Sequence, residues 1–279
     1  MTPGHAAVAL GLTSAVSWGA ADFSGGLASR RASVFGVVVV GQGLGALLMI
    51  ILALASAEPW LLGVSIGWGL AAGVVGGVGI AGLYRALAMD QMGIAAPVTA
   101  VLAAGIPAVV GIFIKGFPHP GQLAGFALAI CGMWFVSRPA GAVGRPKGFG
   151  LALIAGGGLG ASLVLISHAG TTGVFWPLAV VKASSFVTIL AVALGTDHPW
   201  RCVIGSWRLV ALSGVLDAGG NALFLAAAQL SRLDVAAVLS SLYPAATVAL
   251  ATLLLRERMT YTQTVGAVAA LIAIPLIAS

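Results

Sequence analysis

Long apolar runs, separated by short polar breaks, repeat along the whole chain. Each run holds about twenty apolar residues, the number that an α-helix needs to cross a hydrocarbon layer ~30 Å thick at ~1.5 Å per residue. The breaks contain Pro, Gly or charged residues, as in Glu58-Pro59 and Pro118-His119-Pro120. We therefore predict ten transmembrane helices, at 6–27, 33–56, 62–88, 93–114, 121–137, 149–169, 173–195, 204–230, 235–255 and 260–278.

Composition supports a membrane protein and excludes several other classes. The 279 residues are 60% hydrophobic and 7% charged, whereas soluble domains carry roughly a quarter charged residues. The net charge of +6 comes from basic residues that flank the apolar runs, such as Arg30 and Arg31, so we predict a lipid bilayer and no nucleic acid as partner. Cys131 and Cys202 lack the spacing of a metal site or a disulfide framework.

The two halves of the chain repeat each other. At a constant offset of 141 residues, Gly73-Val74 aligns with Gly214-Val215, and the same offset holds from the first run to the last. The longest polar stretch, about 138–148, lies at the midpoint and is interpreted as a linker. We predict two repeats, 1–140 and 141–279, with five helices each.

Each repeat has an odd number of helices, so the second repeat enters the bilayer from the opposite side. The two repeats are therefore inverted relative to each other. The predicted fold class is an all-α membrane protein, with ten transmembrane helices in two inverted five-helix repeats around a central cavity. Such inverted repeats are typical of secondary transporters, whose substrate site lies between the halves near the midplane. A duplication without any transport role is the alternative.

Four charged residues lie inside or near the ends of apolar runs, where charge is costly and therefore a candidate for function. Lys182 and Asp217 should lie near mid-depth and face the interior, where they could pair. Lys182 would then meet a substrate carboxylate, and Asp217 an amino group or a proton; a structural ion pair is the alternative. Asp22 lies closer to a helix end, and Arg85 with Asp90 fits an interfacial pair.

Aromatic and polar residues complete the candidate site. A few directional polar groups in a mostly apolar pocket would suit a small zwitterion, although Trp and Tyr are also enriched in interfacial belts. Asn221 follows Asp217 by four residues and so shares its helix face. Gln229 and Ser240 are further possible lining residues. The predicted substrate-binding residues are Trp18, Asp22, Tyr84, His168, Trp176, Lys182, Asp217, Asn221 and Tyr243.

Short matches to motifs of enzymes and nucleotide-binding proteins lack the structural context that those motifs need. Gly77-Val-Gly79-Ile-Ala-Gly82 matches the dinucleotide fingerprint, but it lies in an apolar run with no preceding strand, so we reject it. The sequence contains no Walker A or HExxH motif, and Gly63-Val64-Ser65-Ile66-Gly67 matches GxSxG only inside an apolar run, without the strand before it that this motif requires. We predict no enzyme activity, no cofactor, no metal site and no ATP-driven transport by this chain alone.

The C-terminal part resembles a known family. Pro244 opens a helix, a Glu257-Arg258-Met259-Thr260 turn follows it, and Gln263 with Gly266 begins the last run. This pattern, with Trp18-Gly19 near the start, resembles the EamA family of the drug/metabolite transporter superfamily. The resemblance extends over both copies, although the first has Lys115-Gly116 in place of the acidic turn.

The resemblance implies a secondary transporter that exports amino acids or similar small metabolites by alternating access. The family includes YddG-type amino-acid exporters, and it implies a location in the cell (inner) membrane. A carrier of drug cations or of sugar derivatives is one alternative, and an unpaired interior carboxylate would favour the cation. A non-transporting membrane enzyme or sensor is the other, but neither converging catalytic groups nor a soluble output domain is present in the sequence.

Orientation and coupling stay open at this point. The family's layout puts both termini in the cytoplasm, whereas the distribution of Arg and Lys, taken alone, puts them outside. Protons are a candidate coupling ion, and facilitated diffusion is the alternative.

Overall fold

Helices account for almost all of the described chain. The computed structural model describes residues 3–61, 63–88, 92–136, 149–171, 173–195, 204–255 and 259–278. Within these ranges the chain forms no strand and one short 3-10 turn at Ile204–Ser206. Eleven α-helices are described: α1 (Pro3–Ser29), α2 (Val34–Ala55), α3 (Gly63–Ala88), α4 (Met92–Lys115), α5 (Pro120–Val136), α6 (Phe149–Ala169), α7 (Phe175–Gly195), α8 (Trp207–Leu230), α9 (Leu233–Ser240), α10 (Tyr243–Leu254) and α11 (Tyr261–Ala278).

Length and hydropathy identify most of these helices as membrane spans. Eight spans in the described part of the chain are long and apolar enough to cross a bilayer, and α9 and α10 together make one of them. The apolar helices α5 and α11 are shorter, with 17 and 18 residues. At ~1.5 Å per residue they extend only about 26 Å, slightly less than a hydrocarbon core of ~30 Å. The chain is therefore a multi-pass membrane protein, and crossing by these two helices stays a prediction.

The ninth predicted helix is interrupted near its middle. We predicted one span over 235–255, and within it α9 ends at Ser240 and α10 begins at Tyr243. Pro244 has no N–H group, so the carbonyl of Ser240 cannot accept the usual hydrogen bond from four residues ahead. The predicted span is confirmed, but a proline within an apolar run does not by itself reveal whether the helix bends or stops.

The strongest helix contacts join the first half of the chain to the second. α1 packs on α8, α3 on α6 and α7, α2 on α7 and α8, and α5 on α11. In the predicted repeats, α1 corresponds to α6, α2 to α7, α3 to α8 and α5 to α11. When corresponding helices are exchanged, the α1–α8 pair becomes the α6–α3 pair, and the α2–α7 and α5–α11 pairs stay the same. Each half thus finds its main packing partners in the other.

Small residues and serine hydroxyls hold α1 against α8. Ser14 and Ser17 of α1 donate to the carbonyls of Gly220 and Leu216 at 2.8 and 2.7 Å. Ser213 of α8 donates in return to Ala21 at 2.9 Å. Lipid supplies no hydrophobic force between helices, so close van der Waals packing and such interhelical hydrogen bonds are what associate them. The pair α1–α8 forms one wall of the interior site.

Large apolar side chains point outward. Phe113 is 86% exposed, Leu253 75% and Leu271 66%. In water, patches of this kind would cause aggregation, whereas in a bilayer they face acyl chains at no cost. Alanine is the most frequent of the buried hydrophobic residues, and large side chains such as Phe224 and Met49 are fully buried as well.

Candidate functional site

A cavity of about 100 Å³ lies inside the bundle. Its wall is built from α1, α2, α3, α4, α6, α7, α8, the break between α9 and α10 and the start of α10, so both halves of the chain contribute. Most of the lining is apolar or glycine. The polar and aromatic residues that line it are Trp18, Asp22, Gln42, Ser162, Lys182, Ser185, Asp217, Asn221, Ser241 and Tyr243.

An ion pair crosses the cavity wall between α7 and α8. Lys182 Nζ lies 2.5 Å from Asp217 Oδ2. Gln42 Nε2 donates to the same oxygen at 3.1 Å, and Asn221 Nδ2 reaches the other oxygen at 3.4 Å. The side chain of Lys182 is only 4% exposed, while that of Asp217 is 20% exposed. The lysine is therefore enclosed and neutralised, whereas part of the carboxylate still faces the cavity.

Small residues on α2 make room for the enclosed lysine. A Cβ on Gly45 would lie 3.5 Å from Cδ of Lys182 and 3.2 Å from Cβ of Ala218. A larger side chain at this position would push against the lysine stem. Gly41 packs directly on Gly214 of α8, and this close approach brings Gln42 within hydrogen-bond distance of Asp217.

A second carboxylate lines the cavity without a partner. Asp22 of α1 forms no hydrogen bond or ion pair among the residues that the structure describes. It lies near Asp217 and Tyr243 in the cavity wall. The Trp18 ring meets the Tyr243 ring edge to face, with centroids 6.3 Å apart, and its Nε1 donates to the carbonyl of Asp217 at 3.3 Å. Asp22 therefore lies in a partly aromatic part of the wall.

The break between α9 and α10 brings unpaired polar atoms to the interior. The hydroxyls of Ser240 and Ser241 are fully buried and have no hydrogen-bond partner within the described ranges. Ser241 lines the cavity. Buried polar groups without partners are rare and costly, and irregular backbone at membrane depth is tolerated where it lines a cavity. The break therefore belongs to the site.

Polar contacts join the two halves at one end of the bundle. Glu58, after α2, accepts hydrogen bonds from the backbone N–H groups of Phe175 and Trp176 at the start of α7, at 2.9–3.3 Å. At the same end, but within the second half, Gln229 at the end of α8 donates to Gly170 and Gly173. Together with the contacts described next, these define what we call the bridged end.

The end of α4 reaches the same end of the bundle. Lys115 donates to the Ser231 carbonyl at 2.9 Å, and Arg232 donates to Gly116 at 2.7 Å. Arg232 also pairs with the fully buried Asp234 at 2.7 Å. These bonds fasten the α4–α5 connection of the first half to the α8–α9 connection of the second.

Replacing Glu58 should loosen the bridged end. The carboxylate both accepts the free N–H groups at the start of α7 and opposes the positive end of the helix dipole, and losing such a cap costs about 1 kcal/mol. Thermal unfolding in detergent should therefore rank Glu58→Ala below Glu58→Gln, and Glu58→Gln below the parent chain. Equal unfolding temperatures for all three would show that the cap contributes nothing.

Six of the nine predicted site residues line one cavity: Trp18, Asp22, Lys182, Asp217, Asn221 and Tyr243. The structure places two others elsewhere. The His168 ring lies tilted against the Trp68 ring, with centroids 5.3 Å apart, and its Nδ1 donates to the carbonyl of Val164 in its own helix. Trp176 packs on Trp60 and donates to the Glu58 carbonyl, so it belongs to the bridged end. The side chain of Tyr84 lies outside the described residues.

Several lining residues were missed from the sequence. Gln42, Ser162, Ser185 and Ser241 line the cavity, and Gln42 is a direct partner of Asp217. A glutamine in the middle of an apolar run was the signal that could have identified it. Serines carry no comparable signal, because a hydroxyl can bond within its own helix, as Ser24 does to Ala20. Gln229 contacts the α6–α7 connection instead of the cavity.

Comparison with known families gives a match in the second half of the chain. Residues 146–279 match the model of the EamA-like transporter family. The matched segment lies within the second predicted repeat, 141–279, and contains Lys182, Asp217, Asn221 and Tyr243. No curated protein matches the sequence.

The fold as a whole is similar to that of a solved protein. The crystal structure of another protein superposes with a TM-score of 0.73, and the match covers 97% of this chain and 95% of that chain. The two sequences are 17% identical. At this identity the likeness concerns the fold alone, and it extends over both halves.

Proposed function

We propose that this chain, which belongs to the EamA-like transporter family, moves amino acids or similar small metabolites across the membrane by alternating access. Membership makes it a membrane transporter of the drug/metabolite type and not an enzyme. The observation that carries the substrate proposal is the interior cavity, in which charged and polar groups from both halves converge in apolar surroundings. Such a pocket suits a small polar solute.

The helix contacts support two inverted repeats, 1–140 and 141–279. The α1–α8 and α3–α6 pairs exchange when the halves exchange, as expected for two copies related by a twofold axis. In transporters built this way, one half rocks against the other around a fixed site. The cavity between the halves is the expected position of that site.

The bridged end supports a state that is closed on one side. Glu58, Lys115 and Arg232 join the halves there through hydrogen bonds to backbone groups. Rocking of the halves would have to break these bonds and reform them in each cycle. We propose that the bridged end is one of the two gates, that the protein lies in the cell (inner) membrane, and that it works as an exporter.

Counterflow in proteoliposomes tests this function. Purified protein is reconstituted with an unlabelled amino acid inside, and uptake of the labelled form is measured across a panel, with and without a proton gradient. Saturable uptake of one or a few amino acids is expected, and its response to the gradient distinguishes proton coupling from facilitated diffusion. Absence of uptake of every member by folded protein would remove this substrate class.

Two variants serve as controls in the same assay. Ser185→Phe places a ring in the cavity and should abolish uptake. Gly67→Ala adds a methyl group where no atom lies within 4 Å and should leave uptake unchanged. Equal uptake by Ser185→Phe and the parent chain would mean that the solute takes another route.

A further inference from the structure

The two carboxylates of the cavity differ in whether they have a partner of opposite charge. Among the lining residues that the structure describes, Asp217 is paired with Lys182, while Asp22 has no counter-ion. When both acids are ionised, the wall therefore carries one formal negative charge in excess. An uncompensated charge inside a membrane protein is costly, and a ligand of opposite charge removes that cost.

Lys182 is poorly placed to receive a substrate carboxylate. Its ammonium is already bonded to Asp217, and its side chain is 4% exposed. A carboxylate from a substrate would have to displace Asp217 and would add a second negative charge beside it. The other donors near Asp217, Gln42 and Asn221, are also directed to that residue. Among the lining residues in the described part of the chain, none offers a free cationic group to an acid.

The surroundings of Asp22 suit an ammonium group instead. An ammonium has three N–H donors and no acceptor. The wall offers the carboxylate of Asp22 and the orphaned hydroxyl of Ser241 as acceptors, and Pro244 leaves the Ser240 carbonyl without its helical donor. The rings of Trp18 and Tyr243 line the same cavity, and aromatic faces attract a cation that lies over them.

We infer that the cavity recognises its substrate through a cationic amine, held by Asp22, Ser241 and the rings of Trp18 and Tyr243, and that it does not require a substrate carboxylate. Amines of amino-acid size are then better substrates than the corresponding zwitterionic amino acids. This inference rests on the proposed transport function and specifies its substrate class. It gives Lys182 and Asp217 the role of a fixed pair that shapes the wall.

Two matched series of ligands test the inference on the full chain. Tyramine, tyrosine and 3-(4-hydroxyphenyl)propionate share a side chain but carry the amine alone, both groups, or the carboxylate alone. Isoamylamine, leucine and 4-methylpentanoate form the second series. Binding is measured calorimetrically with protein in lipid nanodiscs, and uptake by counterflow in proteoliposomes. The affinity of each amine should exceed that of its amino acid by about ten-fold or more, and neither acid should bind.

Variants of the lining residues test where the ammonium group of the substrate binds. Asp22→Asn should weaken binding of the amines about ten-fold or more, Asp22→Glu should retain most of it, and Ser241→Ala should weaken it a few-fold. Gly67→Ala is the control and should bind like the parent chain. Cooperative thermal unfolding establishes that each variant is folded. If Asp22→Asn does not fold, the two ligand series in the parent chain decide the question without it.

The outcomes separate this inference from the proposed function. If an amino acid is bound as tightly as its amine, or if an acid is bound, the inference is overturned and the transporter proposal stands. The same holds if amino acids of the wider panel are taken up while both amines are ignored. If folded protein neither binds nor takes up any of these solutes, both proposals fail.

Discussion

Lys182→Met should destabilise the folded protein by about 3 kcal/mol, because it leaves the charge of Asp217 inside the bundle without its counter-ion. Asp217→Asn should have a similar effect, since the lysine is then the unpaired charge. The side chain of Asp217 is 20% exposed, so it is not fully removed from water. We therefore expect a loss of stability at the lower end of the range that is known for breaking buried ion pairs. Unfolding in mixed detergent micelles measures the change.

The double variant Lys182→Met/Asp217→Asn gives the sharper result. It removes both charges, and an amide at 217 can still bond to Gln42 and Asn221. We expect it to recover at least half of the stability that either single variant loses, which is the signature of two coupled residues. Losses that simply add would show that the two charges are solvated independently.

A surface lysine provides the comparison for this cycle. Lys115 is exposed and donates to a backbone carbonyl at the bridged end. Lys115→Met removes the same chemical group, but it leaves no buried charge behind, so it should cost less than about 1 kcal/mol. A loss as large as that of Lys182→Met would show that the bridged end, and not burial of charge, controls stability.

Gly73→Ala should destabilise the protein by about 1–3 kcal/mol, the usual cost of adding a methyl group to a packed interior. The new Cβ would meet the backbone carbonyl of Val181 and lie 2.5 Å from Cβ of Ser184. Both belong to α7, so α3 and α7 would have to move apart. Because α7 carries Lys182, amine or amino-acid uptake should fall together with stability.

Gly67→Ala is the matched control on the same helix. No atom lies within 4 Å of its added Cβ, and alanine favours a helix over glycine by up to about 1 kcal/mol. The unfolding temperature should therefore stay the same or rise. If both alanine variants behave alike, contact between α3 and α7 is not what Gly73 provides.

Hydropathy alone predicted the positions of the helices well, because in a bilayer each helix satisfies its own backbone and must be apolar along its length. The predicted run 173–195 and the helix Phe175–Gly195 differ by two residues at one end. The break at Ser241 was not predictable in the same way. Prolines also occur within uninterrupted helices of this chain, as Pro275 does in α11, so the residue type does not decide the outcome.

Charged site residues were predictable, and aromatic ones only partly. Asp22, Lys182 and Asp217 stand out in the sequence because a charge in an apolar run needs a reason. Trp18 and Trp176 look alike in sequence, yet one lines the cavity and the other binds Glu58 at the bridged end. Whether a Trp lines the cavity depends on its depth in the bilayer and on which helix packs against its side of the helix. Neither property can be read from the neighbouring residues in the sequence.

Each half of the chain has its main packing partners in the other half, and this has a consequence for how the protein is made. α1 packs on α8 and α3 on α6, so during synthesis the first helices enter the bilayer before their partners exist. Their glycine-rich faces and the serines of α1 that bond to α8 must meet lipid, insertion machinery or temporary partners until the second half emerges. Biogenesis is therefore the stage at which a mutation in α8 first affects α1, and truncated nascent chains should be recognised by quality-control proteases at that stage.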